Sequence, residues 1–478
     1  MAKDNYGNSS SGTFTGTSET EWLLEDDKRK MTASPENTLP KYYFPKRFYM
    51  LILGTLGLTL CYILRVIVSV TVIPMSAEYH WGDTYKGFVL SGFFMGYLVL
   101  QMPATYFCNR FGGKRVMFTG ITFSLAMTAL APLAAQNKVA IMICRVMTGI
   151  SQSIAFPTMN WLIKRWFPTS QRSSSASLIW SGVYIGIIIG NVTTPVIVSE
   201  VNWQAAFYIF SGLGLLWSLA WLLLIKDEPK NVWGIHPAEL LLIEQDINPD
   251  KQHLVLNNPV YSSMSTKSDE LGFFEVSRRL FRDRAIYVII FFSITTQWGN
   301  YLLLMWYPTW LKNQANIPVG PLMSLFTALP YAFSFAFANI SGVVTDRLLA
   351  RGYKKIYLRK FFGVLAALVP GVCMLLMNYL PMAATLKLVV MTTSISCGGF
   401  NTQSNQIATF DIAPNSAIVT MGITNFFATI PGILGPLLAG VMLTAFNGSW
   451  GPIFLISSVC YLAGGLVWLL FAKTDKVV

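Results

Sequence analysis

The chain has 478 residues, of which 53% are apolar and only 12% carry a charge, about half the charged fraction of a soluble domain. That shortage excludes an ordinary soluble fold, whose surface meets water on every side. The formal net charge of +12 does not point to nucleic acid, because the basic residues stand in short clusters between apolar runs, the pattern that orients membrane proteins.

In chain order, residues 1–47 are polar and rich in Ser, Thr, Gly, Asp and Glu. They read as a disordered cytosolic tail with no cleavable signal. Inside that tail, Glu19-Thr-Glu-Trp-Leu23-Leu24 resembles the acidic dileucine signal that adaptor proteins read. A lysosomal, endosomal or vesicle membrane is therefore expected ahead of the plasma membrane. A helix that crosses the hydrocarbon core needs about 20 mostly apolar residues. Six such runs fall near 48–74, 86–107, 115–135, 138–160, 176–198 and 204–225, and form a first half, 48–225. A polar loop, 226–284, reads as a cytosolic linker. Six more runs, near 285–311, 321–345, 358–378, 384–408, 417–444 and 450–472, form a second half, 285–472, before a short cytosolic tail, 473–478. The pattern predicts an all-α membrane protein with twelve transmembrane helices in two six-helix bundles, surrounded by lipid.

Orientation follows from the Lys/Arg bias. With the N-terminus inside, the cytosolic side receives Lys46, Arg47, Arg110, Lys114, Arg115, Lys164, Arg165, Arg172 and the cluster from Arg347 to Lys360. The opposite side receives isolated lysines such as Lys86, Lys138 and Lys312, so both termini are expected in the cytosol. Asn447-Gly-Ser then faces the lumen or exterior as a candidate glycosylation acceptor. Trp81, Trp161, Trp166, Trp310 and Trp450, near run ends, are expected to anchor the bilayer interfaces. The six cysteines include no C-x-x-C pair and lie in or beside apolar runs, so packing is their expected role. The three histidines fall in loops. No metal, cofactor or enzymatic chemistry is expected, since no triad, metal cluster or phosphate-cradling loop is present.

The two halves repeat a loop. Asn109-Arg110-Phe-Gly-Gly-Lys114-Arg115 follows the second run, and Gly342-Val-Val-Thr-Asp346-Arg347, with Arg351 and Lys354, follows the eighth. Both resemble the G-x-x-x-D-R-x-G-R-R signature of the major facilitator superfamily, although Asn109 replaces the usual acid. The resemblance implies the major facilitator fold and a charged latch on the cytosolic face, with Arg110, Asp346 and Arg347 as gating residues. Asp411, at the cytosolic end of the tenth run, is expected to latch as well, with a proton site as its alternative role.

Ionisable residues within the hydrocarbon are costly and mark function by default. Arg65 lies in the middle of the first run and Arg145 in the first half of the fourth. Neither has an acid three or four residues away. Two unpaired guanidiniums in one half make an electropositive cavity, and their planar forks suit carboxylate or phosphate. The second half offers neutral groups instead: Gln297, Asn300 and Tyr301 in the seventh run, and Asn401, Gln403, Asn405 and Gln406 in the tenth. These amides either bind a polar substrate or join neighbouring helices.

Arg145-x-x-x-Gly149…Phe156-Pro157…Trp161…Trp166-Phe-Pro168…Arg172-Ser173 resembles the helix 4–5 region of the anion:cation symporters, solute carrier family 17. That family groups sialin, the vesicular glutamate transporters and the type I phosphate transporters. Gly92-Phe-Phe-Met-Gly96-Tyr97…Gln101-Met-Pro103 resembles its helix 2, and Asp411-Ile-Ala-Pro414…Met421-Gly422-Ile-Thr-Asn425 its helix 10–11 signature. The resemblance implies an alternating-access carrier of small organic anions in which Arg65 and Arg145 hold the substrate. Proton-coupled members carry an acid seven residues after the helix 4 arginine, where this chain has Gln152. Bacterial ones place an Asp before the helix 1 arginine, where this chain has Leu64. The vesicular glutamate carriers have a helix 2 histidine at the position of Leu90 and a helix 7 arginine in the Thr296-Gln297 region. Proton coupling is therefore not expected, because a glutamine exchanges no proton in the physiological range. The expected substrate-binding set is Arg65, Arg145, Gln152, Gln297, Tyr301, Asn401 and Gln406. The competing readings are an inorganic phosphate or sugar-phosphate exchanger, which also uses paired arginines, and a non-transporting membrane sensor on the same fold.

Overall fold

The computed structural model describes residues 44–247, 273–380, 383–413 and 417–473; the dileucine residues Glu19, Leu23 and Leu24 lie outside them. Every described element is helical. The first six apolar segments are α1 (Arg47–Glu78), α2 (Asp83–Leu100, continuing as Ala104–Phe111), α3 (Gly113–Ala134), α4 (Lys138–Gln152, continuing as Ala155–Trp166), α5 (Thr169–Glu200) and α6 (Trp203–Leu224). The second six are α7 (Arg284–Gln314), α8 (Pro321–Ala350), α9 (Lys355–Tyr379), α10 (Ala384–Cys397, continuing irregularly to Ile412), α11 (Ala417–Ala445) and α12 (Gly451–Phe471). Ten of these helices are long and apolar enough to cross a membrane, eleven when bent α2 counts as one span. The remaining segment, α10, is broken.

The breaks have local causes. Pro103 has no N–H to give the preceding turn, and the two parts of α2 meet at 57°. In α10, Gly398-Gly-Phe400 form a 3₁₀ turn and Thr402–Gln406 a π-turn before the helix resumes at Ile407. Gly399 lies against the carbonyl of Ser334 on α8, where a side chain would collide with backbone.

Within the first six helices α1 packs on α5 and α6, α2 on α4, and α3 on α4 and α6. The same pairings recur six helices later: α7 on α11 and α12, α8 on α10, and α9 on α10 and α12. The two bundles meet through α1–α7, α2–α11 and α5–α8. Small residues permit the closest crossings. Gly182 and Gly186 lie against the carbonyls of Thr55 and Thr59 where α5 crosses α1, and Gly96 and Gly149 bring the backbones of α2 and α4 together.

On the face away from the chain termini the bundles are sealed. Gly87 and Gly440 let α2 and α11 touch backbone to backbone, and the hydroxyls of Thr84 and Thr444 lie 2.8 Å apart. Between α5 and α8, Thr327 Oγ1 donates to the carbonyl of Asn191 at 3.2 Å. On the terminal face the ties join elements of the same half. Asp227, after α6, accepts from the amide of Lys114 at the start of α3 at 2.7 Å. Asp411 pairs with Arg359 at 2.9 Å within the second bundle. This asymmetry leaves the molecule closed on one face and looser on the other.

Two sequence expectations need correcting. The linker is not simply a loop: short helices cover Pro237–Ile247 and Phe273–Leu280. The fully buried carboxylate of Glu239 accepts from the amides of Lys46 and Arg47, both at 3.0 Å, and so caps the otherwise open start of α1. The tryptophans assigned to the interfaces are mostly core. Trp81, Trp166, Trp310 and Trp450 are at most 5% exposed. Each finds an internal partner, as in the Trp166 indole donating to the Lys226 carbonyl at 3.1 Å and the stacking of Trp310 on Tyr307. The cysteines, five buried and Cys460 half-buried, are free thiols, in keeping with a packing role.

The α2–α4 crossing gives a direct stability test. Gly149→Ala would place a methyl against the Phe93 carbonyl, whereas Gly212 has open space around it. Overpacking of this kind costs about 1–3 kcal/mol; Gly→Ala in open helix is stabilising by roughly 0.5–1 kcal/mol. Thermal unfolding of the solubilised protein should show Gly149→Ala melting lower than wild type and Gly212→Ala melting no lower.

Candidate functional site

Arg65 and Arg145 reach the same place from different helices. Arg65, 2% exposed, projects from the middle of α1 into a box of rings. Its guanidinium carbon lies 4.3 Å from the ring centre of Tyr62, 4.4 Å from Phe93, 5.1 Å from Tyr97 and 5.7 Å from Phe94. Such cation–π contacts offset part of the desolvation of a buried cation, on the order of 2 kcal/mol when water is excluded. Arg145, 3% exposed, comes from α4. Its guanidinium lies 5.7 Å from the other side-chain neighbour it shares with Arg65, the ring of Phe93, and its Nε donates to the Val89 carbonyl at 3.4 Å. Phe93 thus contacts both cations. The Gly96/Gly149 crossing sets this arrangement, because it fixes α2, which carries Phe93, against α4, which carries Arg145.

Among the described residues neither arginine is in an ion pair, and Arg65 Nε and Arg145 Nη2 are buried without a hydrogen-bond partner. A buried charge left uncompensated is costly. Two donors therefore stay open beside one ring.

The second bundle brings neutral groups towards this box. Tyr301 on α7 is buried with its ring 4.6 Å from Phe94. Thr296, Gln297, Asn300, Asn401 and Tyr461 line a small cleft with Ala366 and Gly398. Asn300 Nδ2 donates to Gln297 Oε1 at 2.9 Å, and Asn401 Oδ1 is buried without a partner. The structure thus brings together Arg65, Arg145 and Tyr301 around the ring box, and Gln297 with Asn401 in the adjoining cleft. Gln406 is exposed farther along α10. Gln152 is buried, but its Nε2 is committed to Ser124 Oγ on α3 at 2.8 Å, leaving only Oε1 open. Gln403 and Asn405 serve as ties within the bundle, to Arg359 and Ser293.

The gating residues fall into two groups in this conformation. Asp411 is engaged, with Arg359 at 2.9 Å and the exposed Lys355 at 3.8 Å. Asp346 and Arg347 are exposed on the last turns of α8, and Arg110 bonds only the hydroxyl of its neighbour Tyr106, at 3.1 Å. Asn109, standing where the motif has an acid, accepts from the Trp161 indole at 2.7 Å, a neutral tie to α4. Two residues stand outside the substrate-binding and gating sets expected from the sequence. Phe93 is one aromatic among 32 phenylalanines, and Arg359 reads as one more basic residue of a topogenic cluster.

Two bundles with matched helix pairings are the architecture of membrane carriers built from parallel repeats. The sequence profile of the Major Facilitator Superfamily matches residues 54–436, and the chain belongs to that family. It is a membrane transporter, not an enzyme. The resemblance to the anion:cation symporters is borne out by its relatives. The chain is 29% identical to the chloroplastic sodium-dependent phosphate transport protein 1 of Arabidopsis thaliana, over 91% of this chain and 81% of that one. It is 28% identical to the chloroplastic ascorbate transporter of the same plant, over 91% and 76%, and 28% identical to human sialin, over 83% and 77%. In fold it is similar to the D-xylose–proton symporter, with a TM-score of 0.68 at 16% identity over 90% of this chain and 99% of that one. It is also similar to a bacterial homologue of the human lysosomal transporter Spinster in its inward-facing, unoccupied conformation, with a TM-score of 0.67 at 17% identity over 90% and 97%.

The open donors imply a trade between stability and binding. Arg145→Met removes an uncompensated buried charge while keeping its bulk, and such replacements are neutral or stabilising. In anion-free buffer this variant should melt at or above the wild-type temperature. A clear drop would mean that Arg145 is held by the fold for structural reasons.

Proposed function

We propose that this protein moves small organic anions, carboxylates above all, across an intracellular membrane by alternating access, with the charged end of the substrate held between Arg65 and Arg145. The observation that carries the reading is the pair of buried guanidiniums, open at Arg65 Nε and Arg145 Nη2, on either contact of Phe93. A carboxylate entering there supplies the missing counter-charge, and two charge-assisted hydrogen bonds are worth more than neutral ones. Gln297, Tyr301 and Asn401 then meet the uncharged end of the substrate from the other bundle, and Gln152 contributes its free Oε1. When the bundles rock, closing the terminal face and opening the sealed one, Arg110, Asp346, Arg347 and Asp411 exchange partners. Both termini face the cytosol, in line with the Lys/Arg bias, and the tail signal Glu19, Leu23 and Leu24 directs the protein to lysosomes or vesicles through adaptors.

Lysine at either arginine keeps the charge and loses the planar fork. In proteoliposomes supplied separately with radiolabelled ascorbate, glucuronate and phosphate, Arg65→Lys and Arg145→Lys should each lower uptake of the transported anion at least tenfold, about 1.4 kcal/mol. Wild-type rates in either variant would remove the arginines from the mechanism, and no flux of any arm in wild type would favour a sensor. A phosphate exchanger is the second reading, favoured by the phosphate-transporting relative; the phosphate arm decides it.

Gln152 and Leu64 leave this pathway without a titratable acid beside the arginines. Uptake at clamped voltage should therefore be indifferent to an imposed pH gradient, and Gln152→Glu should make it gradient-dependent. Strong gradient-driven accumulation by the wild type would overturn the uncoupled reading.

A further inference from the structure

The π-turn of α10 is bonded from α9. Within the π-turn Thr402–Gln406, the backbone carbonyl of Gln403 accepts from Arg359 Nη1 at 3.0 Å. Nε of the same guanidinium donates to Asp411 Oδ2 at 2.9 Å. Arg359 is 4% exposed, and its own carbonyl accepts from the Trp468 indole on α12 at 3.0 Å, so the side chain springs from a fixed point. On another side of the turn, Asn405 Nδ2 reaches Ser293 Oγ on α7 at 2.6 Å. The Ser293 hydroxyl proton is already given to the Ile289 carbonyl at 2.8 Å. Its oxygen can therefore only accept, which fixes Asn405 as the donor. The π-turn is held between α9 and α7.

A π-turn absorbs one extra residue and re-phases the helix by about 100°. Here the re-phased stretch lies between Asn401, which lines the small cleft within the second bundle, and Asp411, which faces Arg359. A helix that drew the Gln403 carbonyl back into its own ladder could not keep both residues where they are. The guanidinium serves both acceptors because its donors are spread over a planar fork; an ammonium offers a single point.

We infer that Arg359 is a positioning residue for the substrate: by taking the Gln403 carbonyl out of the α10 ladder it holds the π-turn and sets Asn401 in the cleft beside Gln297. This rests on the reading of that cleft as the place for the substrate's uncharged end. Arg359 touches no substrate itself and acts through Asn401.

Two measurements on the full-length protein test it. In the first, the transported member of the ascorbate, glucuronate and phosphate set is followed in Arg359→Lys, Asn401→Ala and the double variant. Loss of one hydrogen bond to a polar ligand group corresponds to about a tenfold effect. Each single variant should raise KM by that order with Vmax little changed, and the double variant should be no worse than either single one. Additive effects, or a fall in Vmax at constant KM, overturn the inference. The second needs no substrate and so separates failure here from failure of the anion reading. Gln406 is exposed, while the native cysteines are buried or half-buried. In Gln406→Cys, labelling by an impermeant thiol reagent should change several-fold when Arg359→Lys is added, as the turn reverts and rotates the site. If Arg359→Lys does not yield monodisperse protein, Ser293→Ala, which cuts the other tie, should produce the same change. An unchanged labelling rate in a well-folded variant overturns the inference.

Discussion

The constraint on which the rest of this molecule depends is the cost of burying two guanidiniums that no acid among the described residues answers. The protein meets part of that cost with the rings of Tyr62, Phe93, Phe94 and Tyr97 around Arg65 and a carbonyl beside Arg145. It leaves one donor of each open. An aromatic quadrupole attracts a cation without neutralising it, so the charge stays available to a ligand. A carboxylate side chain in the same place would pair with those donors and leave neither open.

Much of the packing can be understood as support for that arrangement. Gly96 and Gly149 bring α2 and α4 close enough for one phenylalanine to contact both cations, and Gly182 and Gly186 seat α1, which carries Arg65, on α5. The first bundle therefore holds the charge, and the second brings hydroxyls and amides to it, with the paired Arg359 its one buried charge among the described residues. The division of labour suits a substrate with one anionic end. It also suits rocking, since the strong interactions lie within bundles and those between them are glycine contacts, hydroxyl pairs and ring contacts.

The ties at the terminal face show how charge can serve either as receptor or as brace. Arg359 is buried as deeply as Arg65, yet its donors are spent on Asp411 and on the Gln403 carbonyl. Glu239 spends its carboxylate on the open amides of α1. Partnership, more than burial, separates the residues that hold the protein in shape from those left for a ligand.

The sequence by itself determined the twelve apolar segments and their grouping by six, and it singled out Arg65 and Arg145 as charges within them. Hydrocarbon length and the rarity of intramembrane charge are one-dimensional constraints that any window along the chain reports. It could not supply what depends on neighbours in space. Indoles near run ends look alike whether they face lipid or an internal carbonyl, so Trp81, Trp166, Trp310 and Trp450 were read as anchors and proved to be core. The polar linker hid the helix that carries Glu239, because its capping partners stand more than 190 residues away. Phe93 between two arginines, and Arg359 bonded to the Gln403 carbonyl of α10, were decided only by the tertiary structure. Both depend on which helix faces which, and no local pattern records that.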